Sequence, residues 1–346
     1  MRQKYYLILL SILFSCTTKE SKNIDNECIA EPNISAIQIK TAFVRIDKAI
    51  VNAKDSTEIQ KILAENPLYE GLYLAGEPAE APRVANFSQK VLWDMAKEPY
   101  MDTLQQDCEK IVDINKLEKE LTLVFKRIKA YYPDFVPPKV YFSISGIGSF
   151  PLNGSTDIFL SKNGEILVIG LDWFLGTNYR FKLPETVPIY LARRYEAKNI
   201  PVFVATLLSS RYNLYNPTQN SLLNDMLFYA KAYYFTQSVI PCLPDSLVLG
   251  YTPTQMTYIE QNKEQIWKHY LDKKIFFETS SRIKRDYVEE SPFTLPISQD
   301  CPGGIARWTG LRMLKKYVAK KKIDLPKVMK LEDAQGVLSE SGYKGE

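Results

Sequence analysis

One histidine and five cysteines set the limits of the chemistry open to this 346-residue chain. A site that needs two imidazoles, as most catalytic zinc sites do, cannot form within one copy of it. His269 lies in Gln265-Ile266-Trp267-Lys268-His269-Tyr270, with no cysteine, serine or second histidine at a spacing that would make it a general base. It reads as a packing histidine. Carboxylates are the remaining acid–base resource. A pair closing to about 5–9 Å could do glycosidase-type work. Asp157, Asp172, Glu185, Glu289 and Glu290 are the candidates, although their spacing does not distinguish them from solvated surface charges. Gly146-Ile147-Gly148 lacks the third glycine and the strand-to-helix setting of a dinucleotide loop, so it reads as a turn. The chain has no phosphate-binding loop, no Gly-x-Ser-x-Gly elbow and no Asp-x-Asp-x-Asp-Gly calcium loop. No metal and no cofactor is expected.

The cysteines divide by position. Residues 1–16 read MRQKYYLILLSILFSC, two basic residues followed by a short apolar run that ends at a cysteine. About ten apolar residues span only about 15 Å as a helix, roughly half a bilayer core, so the run is a secretory signal rather than a membrane span. Leu13-Phe14-Ser15-Cys16 resembles the bacterial lipobox: an aliphatic residue, a tolerant position, a small residue, then cysteine. That resemblance implies cleavage before Cys16, a diacylglyceryl group on its thiol and acylation of its new amine. One chain binds a membrane marginally, whereas several make a stable anchor. The expected organisation is a signal peptide over 1–15, lipidated Cys16 with a flexible tether over 16–34, and a single globular domain over 35–346. Cys28, Cys108, Cys242 and Cys301 remain. In an oxidising compartment they permit two disulfides in three connectivities, and free buried thiols fit equally well in a core of this size.

Composition narrows the partners. The chain carries 44 basic and 40 acidic residues, a formal +4, and loss of the leader with Arg2 and Lys4 leaves 42 against 40. That excess is too small and too dispersed for a nucleic-acid footprint. The 22 Tyr, 16 Phe and 4 Trp are unusual. Exposed aromatics would suit a protein or glycan interface, but most are expected to be core.

The elements that must position these groups follow from periodicity. Residues 58–63 have a helical period, 76–82 read as a loop, and 93–111 read as helical segments broken at Pro99. Apolar residues recur at three- and four-residue steps over 115–132, where Pro133 stops the helix. Residues 140–144 are a strand. Residues 157–160 and 165–170 flank Asn163-Gly164, a strong hairpin signal. Short helices are expected over 188–197 and 202–212, then a long one over 222–239. Thr252-Pro253-Thr254-Gln255 opens a helix running to about Phe277, and 305–321 is the last long helix. The sum is a helix-rich α+β fold with a small central sheet and a hairpin.

Several stretches taken in order resemble the GldB gliding-motility lipoprotein family of Bacteroidetes. Ile169-Gly170-Leu171-Asp172-Trp173-Phe174-Leu175-Gly176 is similar to that family's Leu-Asp-x-(Phe/Tyr)-Leu-Gly signature. Residues 129–135 and 138–140 resemble the helix and strand before it. Leu249-Gly250-Tyr251-Thr252, Glu264-Gln265-Ile266-Trp267, the 302–310 segment Pro-Gly-Gly-Ile-Ala-Arg-Trp-Thr-Gly and the tail over 332–335 and 340–344 follow in register. The 302–310 segment departs from the family pattern at Gly304, where an arginine is usual, and at Arg307, near a position usually apolar. The family is also distantly similar to zincin metallopeptidases, which implies a degenerate zincin-like architecture here. The helix corresponding to His-Glu-x-x-His is Pro201-Val202-Phe203-Val204-Ala205-Thr206-Leu207-Leu208-Ser209-Ser210, with no zinc ligand.

The resemblance implies a non-enzymatic lipoprotein supporting assembly of a gliding-motility envelope complex, in a system coupled to type IX secretion. Its partners would be the membrane, through Cys16, and envelope proteins. Thr17 is not the aspartate that retains some lipoproteins in the inner membrane, so the outer membrane, facing the periplasm or else the cell surface, is favoured. Asp172, Trp173, Glu185, Trp267 and Trp308 are the expected cleft or interface residues. Two alternatives stay open: a carboxylate-based hydrolase acting on envelope glycan or peptide, and a binding protein for polysaccharide or peptidoglycan.

Overall fold

The computed structural model describes residues 28–75, 87–150 and 156–346. The expected signal peptide, Cys16, most of the tether and the loop expected over 76–82 lie outside the described residues. Four strands form one mixed sheet among those residues: β1 (Phe43–Arg45), β2 (Lys139–Ser143), β3 (Ile158–Leu160) and β4 (Ile166–Gly170), in the order β1-β2-β4-β3. β2 is parallel to both β1 and β4, and β3 is antiparallel to β4. The two central strands, Lys-Val-Tyr-Phe-Ser and Ile-Leu-Val-Ile-Gly, are almost wholly buried, as the apolar runs of strands covered on both faces should be. The hairpin forms where Asn-Gly stands. Gly164 has φ +71° and its N–H donates to Ser161 O at 2.8 Å. β1 was not foreseen. Three residues carry no readable alternation, and Phe43 pairs with Val140, far along the chain.

Among the described residues, helices lie between β1 and β2 and follow β4. Before β2 come α1 (Ile46–Val51), α2 (Ser56–Glu65), a π-helical turn at Tyr69–Leu74, α3 (Phe87–Ala96), α4 (Met101–Ile111) and α5 (Ile114–Tyr131). After β4 come α6 (Ile189–Ala192), α7 (Ile200–Ser209), α8 (Leu222–Val239), α9 (Asp245–Leu249), α10 (Pro253–Asp272), α11 (Ser281–Val288), α12 (Ile305–Lys321), α13 (Leu325–Met329) and α14 (Ala334–Ser341). The architecture is helix-rich α+β with a small sheet.

Local chemistry fixes several ends. Asp113 caps α5 through its side chain on the Lys116 N–H, and Thr252 and Gln255 close a reciprocal capping box at α10. That helix stops at Asp272 rather than near Phe277, because Lys274 turns left-handed at φ +55° before a short 3₁₀ turn. The helix expected over 188–197 is confined to Ile189–Ala192, and Glu196 instead bridges to Leu175.

The core centres on α8, which is buried on nearly all sides and so shows no apolar stripe. α12 crosses it at Gly310. A Cβ there would stand 2.6 Å from Met226 O, so the helices can approach this closely only with glycine at the crossing. Lys231 is buried in α8, and its ammonium donates to the carbonyls of Leu214, Met329 and Leu331, tying the C-terminal helices to the core. Burial lowers this lysine to about 8.

Of the four cysteines beyond Cys16, Cys28 and Cys242 form a disulfide, while Cys108 and Cys301 are free and buried.

Candidate functional site

A cavity of about 640 Å³ opens between α7, α8 and the β3 strand. α7 and its C-cap Ser210 turn Phe203, Thr206, Leu207 and Ser210 toward it, the three- and four-residue steps of one helical face. Val204, Ala205 and Leu208 on the other side are fully buried against the protein. α8 contributes Phe228, Tyr229, Ala232 and Tyr233, and β3 contributes Ile158 beside Asp157. The walls are therefore mainly apolar and aromatic, with polar groups gathered at one end, the usual form of a ligand site.

Those polar groups are Arg194, Glu290 and Arg307. Glu290 Oε1 accepts from Arg194 Nη1 at 2.6 Å and from Arg307 Nη1 at 2.9 Å. Burial acts to raise the Glu290 carboxyl, but the two guanidinium groups outweigh it and hold it below the usual carboxylate range. Arg307 also donates to Val288 O at 2.5 Å, and its guanidinium lies 4.1 Å from the Tyr229 ring centre. Arg194 stands over Phe203 at 5.5 Å. Each cation thus braces an aromatic wall residue while sharing one carboxylate. At the strand end, the Tyr195 hydroxyl donates to Asp157 Oδ2 at 2.8 Å.

Two sequence signatures build this frame, and of their residues only Arg307 lines the cavity. In Leu171–Phe174 and the following Leu175-Gly176, Trp173 and Phe174 pack on Tyr195 at 5.5 and 5.4 Å, and Tyr195 packs on Phe203 at 5.2 Å. The Gly176 N–H donates to Tyr195 O at 3.0 Å. The motif thereby fixes Tyr195, which orients Asp157. The 302–310 segment does the same for Arg307. A Cβ on Gly303 would fall 1.9 Å from Ser291 O, and the Tyr251 hydroxyl donates to Gly303 O at 2.9 Å. That close approach sets the start of α12 against the stretch carrying Glu290.

The expected cleft residues fall elsewhere. Asp172 is 2% exposed, and its Oδ2 accepts from the Ser145 N–H at 3.0 Å, the Ser145 hydroxyl at 3.0 Å and the Ile147 N–H at 2.6 Å. Gly146, Ile147 and Gly148 all have positive φ, so the expected turn curls its N–H groups around this carboxylate. Burial pushes Asp172 up to about 6, against the pull of those donors. Trp173 donates its indole N–H to the Ser145 hydroxyl at 3.0 Å, in the same knot. Glu185 is exposed on a loop, and Trp267 packs on Phe276 and Tyr343 at 5.0 and 5.2 Å. Trp308 is 0% exposed and belongs to the core, so its indole cannot form an interface. None of these five lines the cavity. Asp157 and Glu290 do, whereas Glu289 borders a neighbouring depression between α8 and α11. His269 Nε2 lies 2.9 Å from the Tyr287 hydroxyl, a packing contact away from the cavity. Arg194 and Tyr195 carried no local sequence signal; their partners lie far along the chain.

A family model described as gliding motility protein GldB matches residues 27–345, nearly the whole chain. The chain belongs to the GldB family. This makes it a gliding-motility-associated lipoprotein, and the match takes in the cavity, both GldB signatures and the disulfide. Searches of curated proteins and of solved structures each found no match. Among the described residues no helix is long and apolar enough to cross a membrane, and no group of three His, Cys, Asp or Glu residues is placed to share a metal ion.

Proposed function

We propose that this GldB-family protein is a non-catalytic, lipid-anchored component of the gliding machinery that binds a partner in the cavity between α7 and α8. It is held by acylated Cys16 at the outer membrane, facing the periplasm, and supports assembly of an envelope complex associated with type IX secretion. The observation that carries binding over catalysis is how the cavity spends its charges. Arg194, Glu290 and Arg307 are engaged with one another, and Asp157 is engaged with Tyr195. A nucleophile needs an adjacent base and a general acid needs an uncommitted proton; these groups instead brace aromatic walls. On α7, the helix that a zincin-like ancestry would equip with zinc ligands, the cavity meets Thr206, Leu207, Ser209 and Ser210. A scaffold of that kind reused for binding accounts for both features. The Cys28–Cys242 disulfide fits an exported chain in an oxidising compartment.

The test is replacement of the chromosomal copy by Cys16→Ala or Ala232→Trp, followed by lipid labelling, membrane fractionation and colony spreading. Cys16→Ala should lose label, membrane retention and spreading together. Ala232→Trp fills the cavity and should stay at the membrane at normal abundance while spreading is lost. Membrane retention of the first would refute the anchor, and spreading by the second would refute the cavity's role.

A further inference from the structure

The cavity adjoins a strand edge, and the two together define a ligand class. β3 ends the sheet. Asp157 O accepts from the Gly170 N–H at 2.8 Å, and the Ser161 N–H donates to Ile166 O at 3.1 Å. With Ile158 opposite Ile169, these bonds fix the alternation. Asp157, Phe159 and Ser161 turn their backbone groups toward β4, and Ile158 and Leu160 turn theirs outward. The Ile158 N–H is taken by Asp157 Oδ1 at 2.7 Å. Ile158 C=O and the Leu160 N–H and C=O therefore point away from β4 and take no part in its ladder. An edge of this kind is a template for another strand.

Side chains alternate with the backbone. Ile158 lines the cavity, while Phe159 points to the opposite face, where it meets Tyr73 at 5.2 Å. A strand added outside β3 would likewise send every second side chain toward the cavity. There Phe203, Leu207, Phe228 and Tyr229 form an apolar receptacle held rigid by Arg194 and Arg307, with room for a large aromatic side chain. We propose that the occupant is an extended polypeptide segment of a partner protein, paired with the outer edge of β3 and anchored by an aromatic or long aliphatic side chain in the cavity. This rests on the reading of the cavity as a binding site. Main-chain bonds at Ile158 and Leu160 would supply register, and the cavity would supply selectivity. An acyl chain could fill the cavity but would leave the strand edge unused.

The experiment uses the full chain in detergent micelles, panned against phage displaying random twelve-residue peptides. Enriched peptides are then synthesised with a fluorescent label and measured by anisotropy, in two further versions N-methylated on alternate residues. The expected result is a shared aromatic or aliphatic position. One N-methyl pattern should weaken binding at least tenfold, since it removes the donors facing β3, and the other should leave it nearly unchanged. Bound peptide should also slow hydrogen exchange at the Leu160 amide, and Ala232→Trp should weaken binding at least tenfold. Strand addition is overturned by no enrichment above empty micelles, by equal effects of the two N-methyl patterns, or by an unprotected Leu160. The N-methyl arms alter only the peptide, so they remain decisive if a variant folds poorly. Because the assay makes no use of motility, its failure would leave the motility reading to the spreading test.

Discussion

Asp172 stands in a family signature, in a position that invites a catalytic assignment, and its surroundings assign it to the scaffold. Its carboxylate holds Ser145 and Ile147 in a turn of three consecutive positive-φ residues. A buried carboxyl pushed up to about 6 binds its proton more tightly in the folded chain than in the unfolded one, where the ordinary value is near 4. Its stabilising contribution is therefore fully present below about pH 4 and is lost as pH rises through about 6, an effect on the order of 3 kcal/mol. Urea unfolding of the wild type between pH 4 and 7 should show that decline, and Asp172→Asn, which keeps an acceptor but cannot ionise, should flatten it. Asp172→Ala should cost about 3 kcal/mol at neutral pH by leaving buried donors without an acceptor. An unchanged pH slope in the Asn variant would show that the group does not titrate as its burial requires.

At the scale of elements, the crossing of α12 over α8 decides whether the cavity exists. Arg307 reaches the cavity from α12, and Tyr229 and Tyr233 reach it from α8, so the spacing of the two helices sets the distance between cation and rings. Gly310 sets that spacing against Met226 O. Gly310→Ala adds one methyl where backbone atoms already touch. It should destabilise the chain by about 2–3 kcal/mol, measurable as a lower midpoint in chemical denaturation, and should weaken peptide binding as Arg307 moves off Tyr229. An alanine variant as stable as the wild type would mean that the helices can separate without cost. The sequence announced both helices clearly, but not that they cross there: a glycine within a helical period reads only as a tolerated weak point.

For the whole molecule, the Cys28–Cys242 disulfide joins residues 214 apart and fastens the stretch before β1 to the turn after α8. The Arg127–Glu31 ion pair at 3.1 Å reinforces that attachment at the surface. Closing so long a loop restricts the unfolded chain strongly, so Cys28→Ser should lower stability by about 2–4 kcal/mol, read from urea midpoints with and without reductant. A reductant-insensitive midpoint would show that the core holds without the bridge. Cys108 and Cys301 should resist thiol reagents until the chain unfolds, because burial removes their access and pushes Cys301 up to about 12 and Cys108 higher.

What the sequence determined by itself was local or compositional. One histidine restricts metal chemistry, the Thr252–Gln255 pair opens a helix, Asn163-Gly164 turns a hairpin, and residues 169–176 mark the family. Apart from the histidine count, each depends on neighbours within a few positions, where periodicity and turn chemistry can be read directly. Which cysteines pair, that Asp157 and Glu290 rather than Asp172 and Glu185 meet the cavity, and that β1 completes the sheet were decided only by tertiary structure. Arg194 and Glu290 lie 96 residues apart, and Tyr195 and Asp157 lie 38 apart. Contacts across such distances leave no period in a single chain, because they depend on how the helices pack around α8, and that packing is a property of the fold as a whole.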